Sequence, residues 1–534
     1  MSKRPKTAIS ISKAWKKAEK TNGIWDYFAF KDFLSEHNYK ILTEKYWEEY
    51  LDMFNKDVLE EHRAFLKEMK KVNPKLKFSM YGPAAIYAAH LKGAEFSRYV
   101  GCDCLTEKEM GFWQYEDYPY ACRYGLERGS YYMASHLMNH PGARVYPEIY
   151  TAGGGQGCPD GAVFYAHPPM GVRPIEYPNR MIRQTYEFSF ATGHFRKDGF
   201  HFWENKGFQA CGFSRAWFKT LLTAWRAVAD YIPERPLCSP AFVTSNGSRR
   251  AHERMLYSYG NIIDVRNTAS EDVPYIYEQT RQHQLCNGFQ VMEENLMLLT
   301  PADTNVLVLP PLKGMKKETL KHIRKLHEKG VGLLACEDVT GLEDLFGVKN
   351  TGKKKTITKV VAAKDFCNGG IEICDDERCV GSYVADGAEV LLDAEIPVLT
   401  IKKNGRASAA FFNVAPHLVK EDRLHLRLGY GKDGISDLVS DAVAEVIKLL
   451  STPEVTADNG RLIACKAKSG ETLVFIGNED DDNAKILTVN VKKAPGRNKL
   501  VKCDKPCTAV NGEKGYMTYR IALEAGDAAV MVFK

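Results

Sequence analysis

Apolar positions in the opening stretch recur every three or four residues. Tyr46, Trp47, Tyr50, Phe54, Val58, Leu59 and Phe65 share one helical face, and Asn73-Pro74 ends the helix. The period then changes. Short apolar runs at Phe78–Gly82, Tyr99–Cys104, Val145–Tyr150 and Phe200–Glu204 read as strands. Helix-patterned segments at Leu126–Asn139, Asn179–Gly193 and Arg215–Tyr231 lie between or after them. Strand–helix–strand spacing of this kind predicts right-handed crossovers between parallel strands. It gives four βα-like units, with long loops after the second and third strands.

Ile232-Pro-Glu-Arg-Pro236 reads as a rigid linker, after which a new alternation begins at Ala241-Phe-Val-Thr. A helix is expected around Val273–Cys286, then the strand Asn305–Leu309, a turn at Pro310-Pro311, the amphipathic helix Lys317–Glu328 and the strand Val331–Ala335. Strands this apolar, alternating with helices, predict a doubly wound α/β layer around a buried sheet. Residues 352–413 read as hairpins, with strands at Ala388–Leu392, Pro397–Ile401 and Ala409–Val414, and helix Ile435–Leu450 closes the unit. From Thr456 onward, short alternating strands at Leu462–Lys466, Thr472–Asn478, Ile486–Val491 and Ala528–Phe533 suggest a small antiparallel β-sandwich. The expected fold class is α/β. A partial (β/α)8-type barrel occupies 1–235, a doubly wound α/β domain 236–455 and a sandwich 456–534.

Composition narrows the function classes. The 534 residues have room for about three domains at ~100–200 residues each. With 44% hydrophobic and 26% charged residues the chain is an ordinary globular one, and a net charge of +6 gives no reason to expect nucleic acid or an anionic membrane as partner. The basic opening MSKRPK meets Lys13 before any long apolar run, which argues against a signal peptide. No window approaches the ~20 apolar residues of a membrane span. A cytoplasmic location is therefore expected, where the 14 cysteines stay reduced and Cys238, Cys336 and Cys465 act as small hydrophobes. The close pairs Cys102/Cys104, Cys374/Cys379 and Cys503/Cys507 lack the paired C-x-x-C pattern of structural zinc, so no metal is expected. No cofactor is expected either. Gly153-Gly-Gly-Gln-Gly157 has no G-K-[ST] after it and reads as backbone passing close to a substrate or to Glu148.

The chemistry concentrates between Ala143 and Phe208. Two apolar runs, Ala143–Tyr150 and Gly199–Lys206, each carry a glutamate among aromatics. Parallel strands place their C-terminal ends on one face, where barrel enzymes carry their active sites. Glu148 and Glu204, beside Tyr146, Tyr150, Trp203 and Phe208, look like a carbohydrate site. Phe112-Trp-Gln-Tyr-Glu-Asp-Tyr-Pro119 reads as the loop after the second strand candidate, with Trp113 and Tyr115 suited to stacking on a sugar ring and Glu116 and Asp117 to its hydroxyls. Tyr81 completes the expected substrate contacts. Blander readings stand beside these: Glu148 as an exposed loop glutamate, Glu204 paired with Lys206 or Arg215, residues 112–119 as a packed aromatic loop. Asp103 fits a barrel-rim bond, and His194 and His201, seven apart, lack metal-ligand spacing and read as core or rim histidines.

Order and motifs together resemble glycoside hydrolase family 42, a three-domain β-galactosidase architecture. The carriers are Asn305-Val-Leu-Val-Leu-Pro-Pro, Lys329-Gly-Val-Gly-Leu-Leu-Ala, Leu342-x-x-Leu-Phe-Gly347, Ala388-Glu-Val-Leu-Leu, Phe412-Asn-Val and Gly470-Glu-Thr-Leu-Val-Phe-Ile-Gly-Asn478. They span nearly all of 236–534. The resemblance implies that 236–455 is a glutamine-amidotransferase-like trimerisation domain. It also implies that the four early strands are the barrel's fifth to eighth, with Glu148 where the family keeps its nucleophile and Glu204 in the last strand. The family's acid/base glutamate follows an asparagine on the fourth strand, and the resemblance implies an alignment that starts after that point, so this residue is expected to be missing from the chain. Cys336, in Ala335-Cys-Glu-Asp, lacks the flanking glycines of an amidotransferase elbow, so that domain is expected to be non-catalytic.

The resulting expectation is a glycoside hydrolase acting on small oligosaccharides by a retaining, β-galactosidase-like mechanism through Glu148. Four βα units do not close an eight-stranded barrel. Three arrangements remain open: a C-terminal fragment, a partner chain carrying the other strands, or a dimerised half barrel. A homo-oligomer, a trimer by the family's habit, is the expected assembly. The rival reading is a non-catalytic carbohydrate-binding or assembly subunit.

Overall fold

The computed structural model describes residues 63–75, four strands between residues 79 and 203, and most of 230–534. The chain divides into two units, Met1–Phe78, Pro83–Met110 and His252–Asn267 in one, and Ser79–Gly82, Gly111–Ala251 and Thr268–Lys534 in the other.

The second unit begins with a four-stranded parallel sheet of β1 (Ser79–Gly82), β2 (Phe112–Asp117), β3 (Val145–Tyr150) and β4 (His201–Trp203), in that order. Parallel strands adjacent in chain order are the repeating unit of a (β/α) barrel. Among the described residues the sheet is open and no barrel closes. The second strand is not where the apolar run predicted it. Phe112–Asp117, expected as a loop, pairs directly with β1 and β3, while Tyr99–Cys104 lies outside the described residues. Trp113, Tyr115, Glu116 and Asp117 are therefore strand residues. The predicted linker is also a strand. β5 (Pro233–Pro236) pairs antiparallel with the C-terminal sheet, at an edge where prolines cost no ladder bond.

In the first unit, a helix over residues 63–72 ends as expected, with Asn73 N–H on the Met69 carbonyl and the Asn73 side chain capping Lys75 N–H. Leu66 is buried there, but Phe65, expected on the apolar face, is 57% exposed. The same unit holds the hairpin of β7 (Met255–Ser258) and β8 (Asn261–Val265).

The middle of the second unit is a nine-stranded mixed sheet. Its parallel part consists of β6 (Ser239–Thr244), β9 (Phe289–Met292), β10 (Thr304–Leu309), β11 (Gly332–Cys336) and β18 (Ala407–Phe412). Their spatial order, β9-β6-β10-β11-β18, is the 2-1-3-4-5 order of a doubly wound fold. Alternation sorts these strands onto two cores. Phe242, Val306, Val308, Leu334 and Phe412 pack with helix α2 (Leu438–Leu450), while Val243, Leu307, Leu309, Leu333 and Phe411 pack with helix α1 (Lys317–Glu328). Burial on both faces is why these runs read as almost wholly apolar. Gly332 explains part of the Lys329-Gly-Val-Gly motif, since a Cβ there would sit 2.8 Å from the Leu450 carbonyl oxygen of α2.

Between β11 and β18 the chain makes β12 (Val348–Thr356), β13 (Lys359–Ala362), β14 (Ile371–Ile373), β15 (Val380–Ala385), β16 (Glu389–Asp393) and β17 (Pro397–Asn404). Four of these extend the sheet antiparallel from β18, whereas β12 and β15 form a separate ribbon. Gly347, at φ 63°, ends the one-turn helix Glu343–Phe346 and admits the Ala388 backbone, which a side chain would meet at 2.9 Å.

The C-terminal strands are β19 (Val455–Asp458), β20 (Arg461–Ala467), β21 (Thr472–Gly477), β22 (Lys485–Lys492), β23 (Leu500–Cys503), β24 (Cys507–Val510), β25 (Tyr516–Leu523) and β26 (Ala528–Phe533). They form two antiparallel sheets, β19-β22-β25-β24 and β23-β26-β21-β20-β5, around a core that includes Ile476, Leu487, Val489, Ile521, Met531 and Phe533. Contrary to simple alternation, β21 and β26 are buried at every position, so this sheet is covered on both faces.

Burial pushes the Asp504 carboxyl up to about 6 from 3.8, against the hydrogen bond it accepts from Val530 N–H and the nearby Lys505. Between those two pH values the folded chain holds a proton that the unfolded chain has lost. Stability therefore falls as pH rises from about 4 through 6 and stays lower above. Asp504→Asn keeps an acceptor for Val530 N–H and removes this loss. Urea denaturation should show the variant gaining on the wild type between pH 4 and pH 7, by up to about 3 kcal/mol.

Candidate active site

The parallel sheet β1–β4 brings most of the predicted site residues together. Backbone register aligns Tyr81, Gln114 and Tyr146 in one row. Two positions on, Glu116, Glu148 and His201 form the next row, and after a further two, Tyr150 and Trp203. Side chains alternate between faces along a strand, so rows two apart belong to the same face. That face therefore carries Tyr81, Gln114, Tyr146, Glu116, Glu148, His201, Tyr150 and Trp203. The intervening rows hold Met80, Trp113 and Val145, then Gly82, Tyr115 and Pro147, then Asp117, Ile149 and Phe202. One face is polar and aromatic, the other mostly apolar.

Both faces of a purely parallel sheet are ordinarily apolar. In barrel enzymes the active sites lie at the C-terminal rim of such a parallel sheet. Of the residues predicted from sequence, Glu148, Glu116, Tyr81, Tyr150 and Trp203 share this face. Trp113, Tyr115 and Asp117 take register positions of the opposite face. Glu204, the other expected catalytic carboxylate, lies outside the described residues, as do Phe208, Asp103, His194 and the loop 153–157. His201, read as a core or rim histidine, stands level with Glu148. Gln114 is the position on this face to which no role was assigned, although its alternation with Trp113 is visible in the sequence.

A second place to look is the switch point of the doubly wound sheet, where strand order reverses between β6 and β10 and such folds bind ligands. Here the chain fills it. Ser245 Oγ donates to Glu293 Oε2 and accepts from Ser248 N–H, and Ser248 Oγ donates to the Pro311 carbonyl. Glu293 Oε1 accepts from Lys316 N–H and Thr319 Oγ at the start of α1. Gly247 lies so close to Gly314 that a Cβ would be 2.2 Å from its carbonyl oxygen. Ser245, Ser248 and Glu293 are buried, and their bonds tie the loop after β6 to the helix start.

Cys336 ends β11, fully buried. The tip of the turn is Glu337, at φ 59°, with Asp338 N–H bonded to the Cys336 carbonyl at 2.6 Å, a γ-turn around a left-handed residue. The elbow thus presents a carboxylate residue rather than the thiol. Asp338 is occupied by Lys313 N–H, Thr340 and the Tyr383 hydroxyl. The eight cysteines among the described residues are free thiols: Cys336, Cys379 and Cys465 are buried, and Cys238 is half-buried, donating to the Pro301 carbonyl. No group of three or more metal-ligating side chains occurs among the described residues. No helix among them is long and apolar enough to cross a membrane.

No family model matches the chain, and no curated protein matches it. Among solved structures, it is similar to α-L-fucosidase isoenzyme 2 from Paenibacillus thiaminolyticus, with a TM-score of 0.53 and 11% identity, covering 80% of this chain. The match spans 65% of the fucosidase, just under two thirds of its length. An apo exo-carrageenase of glycoside hydrolase family 42 from Bacteroides ovatus aligns at 10% identity over 84% of this chain and 55% of its own, with a TM-score of 0.34 that carries no argument. Both neighbours are glycoside hydrolases. At such identities the likeness to the fucosidase is one of fold.

Proposed function

We propose that this chain is a glycoside hydrolase acting on small oligosaccharides, with Glu148 as the nucleophile of a retaining, β-galactosidase-like mechanism. The observation that carries this reading is the face of the parallel sheet on which Glu148 stands level with a second carboxylate residue and between rows of aromatic positions. Aromatic rings suit the C–H faces of sugars, and a carboxylate among them can attack an anomeric carbon. The fold shared with a fucosidase supports the class. The family 42 resemblance, carried by motifs in 236–534, supports β-galactoside as the first substrate to try, and self-association as the working state.

The test is turnover of a panel of aryl glycosides, headed by aryl β-galactoside and α-L-fucoside, by the purified chain. Release of the aryl alcohol from one of them, with retained anomeric configuration by NMR, is expected. A chain that binds saccharides but cleaves no member of the panel would instead be the carbohydrate-binding subunit. Light scattering, expected to give a mass above that of one 60.2 kDa chain, tests self-association.

A further inference from the structure

We infer that Cys503 and Cys507 are a disulfide-forming pair, a covalent modification site that a low-molecular-weight disulfide oxidises and a thiol reverses. This goes beyond the hydrolase reading and does not rest on it. Cys503 ends β23 and Cys507 begins β24, with only Asp504-Lys505-Pro506 between them. The two strands belong to opposite sheets of the sandwich, and each is the outermost strand of its sheet. Both side chains are half-buried free thiols, packed on the shared core with Leu500 and Tyr519. The Cys503 thiol is hydrogen-bonded to the Cys507 side chain. A bond between these sulfurs would tie the edge of one sheet to the edge of the other.

The turn is held so that the two thiols stay together. Cys503 pairs with Met531 in the β23–β26 ladder, and Cys507 with Ile521 in the β24–β25 ladder. Between them Asp504 N–H donates to the Val530 carbonyl at 3.3 Å, and Asp504 Oδ1 accepts from Val530 N–H at 2.8 Å. Lys505 Nζ meets Asp527 Oδ2 at 2.7 Å. Pro506 fixes one backbone dihedral of the turn. Thiols positioned by the surrounding backbone have little freedom left to lose on joining, which favours the bond within one chain over bonds between chains.

The surroundings set the order of the two steps. Burial pushes the Cys503 thiol up to about 12, assisted by Cys507 and Asp504 beside it, so Cys503 keeps its proton. The thiolate is the nucleophile, so the first attack falls to Cys507. Its sulfur bonds to one sulfur of the small disulfide, and the other leaves as a thiolate that takes up the proton Cys507 lost. Once Cys507 is in this mixed disulfide, its charge and its hydrogen bond no longer hold the Cys503 thiol up. Lys505 N–H, which favours the Cys503 thiolate, remains. Cys503 then gives up its proton, bonds to the Cys507 sulfur and expels the second small thiolate, which is protonated in turn. Two protein thiols are oxidised to one disulfide, and one small disulfide is reduced to two thiols.

The experiment incubates the folded full chain with oxidised glutathione, blocks remaining thiols with N-ethylmaleimide and maps unreduced tryptic peptides by mass spectrometry. Trypsin spares Lys505 because Pro506 follows it, so Cys503 and Cys507 leave in one peptide, residues 503–514. That peptide is expected two hydrogen atoms lighter than its dithiol form and free of maleimide. Its yield should not depend on protein concentration, no glutathione adduct should accumulate on it, and dithiothreitol should restore both thiols. Cys503→Ser should halt the reaction at the first step, with glutathione retained on Cys507; an unmodified Cys507 in that variant overturns the order of attack. The wild-type map decides the pairing without the variant. Maleimide on both cysteines after oxidation, a lasting glutathione adduct on the wild-type peptide, or a bridge from either cysteine to a third overturns the inference.

Discussion

Glu148→Gln should remove hydrolysis, by at least about 10³-fold in kcat, on whatever glycoside the wild type cleaves. The amide keeps the size of the carboxylate but has no lone pair basic enough to form and later release an ester at the anomeric carbon. The loss should be the same for good and poor leaving groups, because attack fails before proton donation matters. A 2-deoxy-2-fluoro glycoside, which slows the second step, should label the wild-type peptide containing Glu148 and leave the variant unlabelled by mass spectrometry. An active variant, or label on another glutamate, would remove Glu148 from the mechanism.

Asn413→Leu should be the most damaging single change to the nine-stranded sheet. Asn413 follows β18 and is buried. Its Oδ1 accepts from Ser382 N–H at 3.1 Å and Tyr383 N–H at 2.9 Å, and its Nδ2 donates to the carbonyls of Tyr383 at 2.8 Å and Pro397 at 2.7 Å. One amide side chain thus binds the separate β12–β15 ribbon to the sheet. Leucine has a similar branched shape but leaves buried backbone donors and acceptors unpaired, each costing about 1–3 kcal/mol. With partial relaxation the net loss should be about 3–5 kcal/mol, seen as a drop of about 10 °C in the melting transition of this unit. Gly381 adds to the constraint, since a Cβ there would meet the Asn413 side chain at 3.0 Å. A melting temperature within a degree or two of the wild type would show that the amide bracket is dispensable.

How far the sequence could be read differs from one region to the next. Strands Thr304–Leu309, Gly332–Cys336 and Pro397–Asn404 lie within a few residues of the predicted runs, because strands packed on two faces have an apolar signal at every position. Helix Lys317–Glu328 carries a stripe with Ile323, Leu326 and His327 buried, and the period of 3.6 exposed it. Phe112–Asp117 was misread because Gln114, Glu116 and Asp117 make it more polar than the near-continuous apolar run expected of a parallel strand. Pro233–Pro236 was misread because proline is a poor strand former except at an edge, and being an edge is a property of the partner strand. The cluster of Ser245, Ser248 and Glu293 had no local signature, since its members meet across 48 residues of chain.

What the sequence determined by itself were the periods: where strands and helices run, and which alternate positions in Val145–Tyr150 are polar. The tertiary structure decided which strands are neighbours and at what level they pair. It set Glu116 beside Glu148 and put Trp113 and Tyr115 on the other face. The physical reason is that periodicity arises from the geometry of a few consecutive residues. Register, by contrast, comes from backbone hydrogen bonds between segments about thirty residues apart, where a slip of one position would exchange the two faces.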